Sequence, residues 1–217
     1  MKRQHILLIF LIAFNTSGYT QNKERVIPPQ YLFPTFTEGV VFLKSKLEIK
    51  TNLNFNTLTE QMLFKSDSAI LKLDMPGEVD SVIINKRVFI QVDSMFYEYI
   101  CGTNIKLLKR NKFRWETKGN AVGFGNSKLA RTKFANYLVI DGRISSIERN
   151  FEFDFYDNST ILIYLKNKIA DATKLSNYVQ FFPELETKII EFKKSQKLNL
   201  KIKTDMIRLI DFINQLN

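Results

Sequence analysis

Residues 48–55 read EIKTNLNF and alternate between less polar and polar side chains. Ile49, Thr51, Leu53 and Phe55 occupy one set of alternate positions, and glutamate, lysine and asparagine occupy the other. A period of two residues is typical of a β-strand with one buried and one solvated face. The segment therefore predicts a strand of an antiparallel sheet.

Similar short runs, rich in β-branched and aromatic residues, occur on both sides of this segment. Turn-forming residues separate them, and no helical interval interrupts the series up to residue 110. Short, evenly spaced strands favour an antiparallel, twisted sheet that curls into a sandwich or partial barrel between residues 38 and 168. The predicted strands are Gly39–Lys44, Glu48–Phe55, Gln61–Lys65, Ala69–Leu73, Val79–Asn85, Arg87–Val92, Met95–Cys101, Asn104–Lys109, Tyr137–Ile140, Asn150–Tyr156 and Thr160–Lys166.

The pattern changes to that of helices from Thr173 onward. We expect Thr173 to cap a short helix that ends at Phe182, and Pro183 to lie in the first turn of the next helix. Thr204 and Asp205 open a last helix with a broad apolar stripe. The predicted fold class is therefore α+β, with an antiparallel sheet covered on one face by C-terminal helices.

The first 20 residues have the three-part pattern of a secretory signal peptide. Lys2 and Arg3 supply positive charge, Ile6 to Phe14 is an unbroken apolar run, and small and polar residues follow to Thr20. No second apolar span follows, so we expect an exported protein (periplasmic, outer-membrane-associated or secreted) with no transmembrane segment after cleavage. The predicted divisions are a signal peptide (1–20), an extended lead-in (21–37), a β-rich domain (38–168) that includes a basic, glycine-containing arm or loop (109–133), and a C-terminal helical segment packed on the sheet (169–217).

Residue types that usually carry catalysis are missing from the predicted mature chain, because the only histidine, His5, lies in the signal peptide. Without imidazole, Ser-His-Asp and Cys-His mechanisms and histidine-ligated metal sites are excluded. Cys101 is the only cysteine, so no intramolecular disulfide forms, and we expect a buried, inert thiol. The sequence therefore favours a non-enzymatic protein with no cofactor and no metal.

The chain is basic, with 32 Lys+Arg against 22 Asp+Glu. Removing Lys2 and Arg3 with the signal peptide leaves 30 − 22 = +8 for the mature part. A positive balance favours contact with anionic surfaces. After export these are lipid head groups, lipopolysaccharide or acidic glycans, with an envelope protein as another possible partner, and export disfavours nucleic acid.

Basic residues concentrate between positions 109 and 133, where eight lysines and arginines face a single acid, Glu116. Aromatic residues lie among them, as they do at membrane interfaces and on surfaces that bind single-stranded nucleic acid. An amphipathic strand, with Phe113 and Trp115 in the core, accounts for the same pattern. The candidate binding residues are Arg110, Arg114, Trp115, Lys118, Lys128 and Arg131.

Two other functions stay open from the sequence. A curled sheet lined by some of the 19 phenylalanines and 8 tyrosines could enclose a lipid or other apolar ligand, although core packing explains the same rings. Glu152 and Asp154 project from the same face of a predicted strand about 7 Å apart. That spacing suits a histidine-free carboxylate hydrolase, although any solvated strand face with two acids shows it too.

Several segments follow one another in a familiar order. They are EGVVFLK (38–44), NLNFNTLTEQMLF (52–64), PGEVDSVII (76–84), FIQV (89–92), FYEYI (96–100), the basic glycine-containing stretch, and the ending FFPELETKIIEFKKSQKLNLKIKTDMIRLIDFINQLN (181–217). Together they resemble a family of uncharacterised exported proteins of Gram-negative bacteria. That family has no assigned activity or ligand, so the resemblance implies export and no functional residues.

Overall fold

The computed structural model describes residues 30–67, 69–75, 77–117, 139–140, 143–144 and 153–216. The strands are β1 (Thr37–Leu43), β2 (Glu48–Asn56), β3 (Gln61–Ser66), β4 (Ala69–Lys72), β5 (Val79–Ile84), β6 (Arg87–Val92), β7 (Met95–Cys101), β8 (Lys106–Arg110), β9 (Phe113–Thr117), β10 (Val139–Ile140), β11 (Arg143–Ile144), β12 (Phe153–Asp157), β13 (Thr160–Leu165) and β14 (Lys168–Asp171). The helices are α1 (Leu175–Phe181), α2 (Glu186–Ser195), which follows a 3-10 turn at Pro183–Leu185, and α3 (Lys203–Leu216). The predicted signal peptide lies outside the described residues.

Ten strands form one antiparallel sheet in the order β14-β13-β8-β7-β6-β5-β1-β2-β3-β4. The sheet is open, with β14 and β4 at its edges. Tight hairpin turns join several neighbours, and their residues adopt the left-handed backbone conformation that such turns require. Asn85 and Lys86 have φ values of 48° and 65°, and Lys166 and Asn167 have the same pair of values. The predicted α+β class, an antiparallel sheet followed by C-terminal helices, is confirmed.

The ladder between β8 and β13 continues as a separate two-stranded ribbon, formed by β9 and β12. The two ladders meet where the Asn158 N–H donates to the Lys112 carbonyl oxygen (2.9 Å). The described start of the predicted basic arm therefore includes one strand of a two-stranded ribbon that is separate from the ten-stranded sheet.

Two hydrophobic cores lie on the same face of the sheet. Strand alternation and register place Phe89, Phe96 and Leu107 of three adjacent strands on this face. One core includes Val41, Leu53, Phe55, Val82, Ile84, Phe89 and Phe96. The other includes Leu107 and Ile163 of the sheet with Tyr178, Ile189, Leu209, Ile210 and Ile213 of the helices. The helices therefore cover the part of this face that β8 and β13 form.

The alternation predicted for β2 is only partly observed. Leu53 and Phe55 are buried in the core as expected, but Ile49 is 41% exposed and Asn54 is fully buried. Asn54 is buried because the lead-in lies beside the end of β2. Its Oδ1 accepts from the Phe33 N–H (3.2 Å), and its Nδ2 donates to the Phe33 carbonyl oxygen (2.9 Å). The side-chain amide thus satisfies a buried backbone as a neighbouring strand would.

One helix start differs from its prediction. α1 begins at Leu175, and its N-cap residue, Lys174, makes no side-chain capping bond. The Thr173 hydroxyl instead donates to Asp171 Oδ1 (2.7 Å), so the predicted Thr173 cap is wrong. Pro183 begins the turn that leads into α2, as its position predicted.

An ion-pair clamp fastens the tip of the β2–β3 hairpin to the end of β8. The Glu60 carboxylate accepts from Arg110 Nε, from Arg110 Nη2 (2.8 Å) and from Lys112 Nζ (2.9 Å). Beside it, the Phe113 N–H donates to the Thr57 carbonyl oxygen (3.0 Å). Burial pushes the pKa of Glu60 upward, but the hydrogen bonds from Arg110 and Lys112 outweigh it and leave that pKa lowered.

A second ion pair lies next to the aromatic core. Arg87 Nε donates to Glu98 Oε1 (2.8 Å), and Asn111 Nδ2 donates to Glu98 Oε2 (2.9 Å). The Arg87 guanidinium lies 5.3 Å from the Phe33 ring centroid and 5.7 Å from that of Phe89. Burial acts to raise the pKa of Glu98, but the bonds from Arg87 and Asn111 prevail and lower it. Arg87 and Glu98 therefore compensate each other's charge, and the Arg87 guanidinium packs against the aromatic core.

Replacing Asn54 by alanine should leave the Phe33 backbone groups unpaired in a buried position. We expect the free energy of unfolding to fall by about 2–3 kcal/mol, as measured by urea denaturation. Asn52→Ala is the matched control, because Asn52 is exposed on the same strand; it should change stability by no more than about 0.5 kcal/mol. Equal stability of the two variants would contradict the pairing role of Asn54.

Acid should destabilise the protein through Glu60 and Glu98. Both carboxyls have a lowered pKa in the folded protein, so their stabilisation is complete above the unfolded value near 4.5 and is lost as pH falls through the folded values. We expect the free energy of unfolding to drop as the pH falls below about 5. The double variant Glu60→Gln/Glu98→Gln should be less stable at neutral pH and show a shallower drop.

The matched control for this titration is Glu48→Gln, because Glu48 is exposed at the start of β2. It should keep the pH dependence of the wild-type protein. A double Glu60→Gln/Glu98→Gln variant with the same acid-dependent loss as Glu48→Gln would show that these ion pairs do not govern acid stability.

Candidate functional site

An open groove of about 670 Å³ crosses the sheet face opposite the helices. Val88, Ile90, Tyr99 and Tyr164 line its floor, and each alternates along its strand with residues of the opposite face. Ser81 of β5 lines it beside Ile90. From β5 to β13 the groove spans four interstrand spacings, about 19 Å. This feature is termed the outer groove.

The two tyrosine rings of the outer groove are held by their hydroxyl groups. The Tyr99 hydroxyl donates to the Gly102 carbonyl oxygen (2.9 Å), and the Tyr164 hydroxyl donates to Asn167 Oδ1 (2.9 Å). Gly102 has φ of 100°, and a Cβ there would lie 2.1 Å from the Ile105 carbonyl oxygen, so only glycine fits. Both rings are therefore fixed before any ligand arrives.

Charged groups of both signs surround this floor. Lys44 and Lys106 supply two positive charges, and Asp80 and Asp93 supply two negative charges. Asp93 and Asn167 stand on tight turns with φ values of 56° and 65°, which position them firmly at the rim. The charge of the lining is therefore balanced, although the whole chain has a net charge of +10.

The described members of the predicted basic site have different surroundings. Arg110 belongs to the clamp, where Glu60 compensates its charge. Arg114 is exposed on β9, and its guanidinium lies 5.4 Å from the ring centroid of Tyr156, which is directly opposite in register. Trp115 is half-buried and alternates with Arg114, so the two belong to opposite faces of the ribbon. The binding role predicted for these basic and aromatic residues stays a prediction.

The remaining predicted site residues lie outside the described part of the chain. These are Lys118, Lys128 and Arg131 of the arm, and Glu152 of the alternative carboxylate pair. Asp154 lies in β12, opposite Glu116 in register. The hydrolase alternative therefore stays a prediction.

Two common kinds of functional feature are absent from the described part of the chain. No group of three histidine, cysteine, aspartate or glutamate side chains that could hold a metal ion occurs among the described residues. These are residues 30–117 and 153–216, except for short gaps, and strands β10 and β11. In the same part of the chain, no helix combines the length and apolar character needed to cross a membrane.

Reasoning from the sequence missed the outer groove. Its lining comes from segments far apart in the chain, such as Lys44 and Asn167, which only the sheet order brings together. The sequence does contain one relevant signal, because Tyr99 and Tyr164 both lie in predicted strands. Only the structure shows that they lie on the face that the helices leave uncovered. Alternation alone did not show which face of the sheet the helices cover.

The chain matches no known protein family, no curated protein and no solved structure. Its function is therefore inferred from its own residues and geometry.

Cys101 should react slowly in the folded protein. Burial, helped by Asp211, raises the pKa of its thiol to about 11, so little thiolate exists near pH 8. We expect iodoacetamide to alkylate Cys101 about tenfold or more slowly in the native protein than in urea, as followed by mass spectrometry. Equal rates in the two conditions would contradict a shielded thiol.

Proposed function

We propose that this is an exported, non-enzymatic binding protein of the cell envelope or its surroundings, and that the outer groove holds its ligand. The observation that best supports a binding role is the size of this groove. Its volume of about 670 Å³ falls within the range of about 300–1,000 Å³ typical of ligand sites. Export is supported by the signal-peptide pattern of residues 1–20 and by the family resemblance of the sequence.

Residue chemistry favours binding over catalysis. From Gln21 onward the sequence contains no histidine. A general acid needs a raised pKa, but the pKa values of Glu60 and Glu98 are lowered because both carboxylates are ion-paired. These two acids therefore serve the fold.

A carrier of wholly apolar ligands is less well supported. In the aromatic core, the ring centroids of Phe33 and Phe55 lie 6.3 Å and 5.9 Å from that of Phe89, so the rings pack against one another. The outer groove is bordered by Asp80 and Asp93. An apolar ligand there would desolvate these carboxylates without pairing them, which is unfavourable.

The net positive charge of the chain has a role different from that of the outer groove in this proposal. A net charge of +8 on the predicted mature chain attracts the protein to anionic envelope components such as lipid head groups, lipopolysaccharide or acidic glycans. The exposed Arg114 is one contributor that the structure describes. Attraction of this kind concentrates the protein near a surface, while the groove selects the ligand.

Filling the groove tests the proposal. Ser81 is half-buried and lines the groove on β5, and tryptophan is compatible with a strand. The probes are immobilised neutral glycans, acidic glycans, lipopolysaccharide and anionic phospholipid vesicles. We expect the wild-type protein to bind at least one class without altering it, and Ser81→Trp to weaken that binding about tenfold, or 1.4 kcal/mol.

Ser176→Trp is the matched control, because Ser176 is exposed on α1, away from the groove. Both variants should keep the circular dichroism spectrum of the wild-type protein. Equal binding by the two variants would show that the ligand binds elsewhere. Chemical conversion of a probe by the purified protein would contradict a non-enzymatic role.

A further inference from the structure

The charges of the outer groove point away from an anionic ligand. A site for an anion collects cations and avoids carboxylates, because like charges repel the ligand. Here Asp80 and Asp93 line the groove together with Lys44 and Lys106, in a chain whose net charge is +10. The balance therefore favours a ligand with no net charge.

The polar groups of the groove both donate and accept hydrogen bonds. Asp80 and Asp93 are acceptors. Asn167 Nδ2 is a donor with no acceptor among the described residues, since the hydrogen bond to Tyr164 uses Oδ1 of this side chain. Tyr99 and Tyr164 use their O–H groups internally, which leaves their oxygen lone pairs as acceptors. A complementary ligand must donate and accept at several points, as hydroxyl groups do.

The floor between these polar groups is apolar. Val88 and Ile90 lie beside the fixed rings of Tyr99 and Tyr164. A sugar ring presents flat C–H surfaces bordered by hydroxyl groups, so its faces match this floor while its hydroxyl groups reach the rim. A length of about 19 Å suits a chain of several sugar units better than one sugar.

Backbone pairing excludes one competing mode of recognition. β6, β7 and β8 each have a neighbour on both sides in the sheet, so their backbone groups are already used in the ladders. An extended peptide cannot add here as another strand. Recognition in the groove must therefore proceed through side chains.

We propose that the outer groove binds a neutral oligosaccharide of several sugar units. This inference rests on the proposed function, because it names the ligand class of the same groove. Fixed rings take the C–H faces of the sugars, and Asp80, Asp93 and Asn167 take their hydroxyl groups.

The test uses isothermal titration calorimetry on the full mature chain. The neutral probes are α-1,4- and β-1,4-linked glucose hexasaccharides and the β-1,4-linked N-acetylglucosamine hexasaccharide; dextran sulfate and polygalacturonate are the anionic probes. We expect at least one neutral probe to bind, with an affinity that changes less than about twofold between about 0.05 M and about 0.5 M NaCl, because no charge on the ligand is screened. Ser81→Trp should weaken this binding about tenfold.

Asn167→Gly supplies a second, milder variant. Glycine accepts the φ of 65° at this turn, so the fold is kept while the amide is removed. We expect binding of the neutral hexasaccharide to weaken about fivefold or more. Asn85→Gly is the matched control, because Asn85 has φ of 48° in the turn between β5 and β6 and does not line the groove; its affinity should equal that of the wild-type protein.

The outcomes separate this inference from the proposed function. Binding only to the anionic polymers, weakened by salt and by Ser81→Trp, would overturn the neutral ligand and leave the groove as a binding site. Failure of every neutral hexasaccharide to bind would overturn it as well. If both Ser81→Trp and Asn167→Gly bind a neutral hexasaccharide as tightly as the wild-type protein does, the ligand does not bind in the outer groove.

Discussion

The ion-pair clamp of Glu60 with Arg110 and Lys112 is the constraint on which the arrangement of the sheet depends. It joins the β2–β3 hairpin to β8, and these strands are well separated in the sheet order. A twisted ten-stranded sheet does not by itself bring such distant strands together. The clamp and the neighbouring hydrogen bond from the Phe113 N–H to the Thr57 carbonyl oxygen therefore mark where the sheet curves back on itself beside its aromatic core. One face is filled by Phe55, Phe89 and the helices, and the other carries the outer groove.

Local sequence pattern predicted the strands well because each depends mainly on its own residues. Both limits of each strand fall within one residue of the prediction for β2, β6 and β7. The sheet order could not be predicted in the same way, because β1 inserts between β5 and β2 through pairings that many antiparallel arrangements would allow. The short strand β14 was missed, since four residues after a tight turn show little periodicity.

Polar residues were harder to interpret, because distant partners decide their roles. Asn54 occupies a position that alternation assigns to solvent, yet the lead-in covers it and uses its amide. Arg110 belongs to a run of cations with one nearby acid, yet Glu60, fifty positions away, compensates it. Two of the first cations of this charge run are therefore compensated by a residue that the run itself does not contain. The lining of the outer groove is likewise scattered along the chain.

The groove floor is itself supported by a small hydrophobic cluster, which bears on how it can act. Val92, Tyr97 and Leu108 are buried on this face, although the helices lie on the other. Ile90, Tyr99 and Tyr164 of the floor pack against them. A floor anchored in this way loses little conformational freedom when a ligand binds, so more of the contact energy remains as affinity. Since the strands below are fully paired, selectivity must come from the fit of side chains to the ligand, and a rigid, charge-balanced surface selects by shape more than by charge.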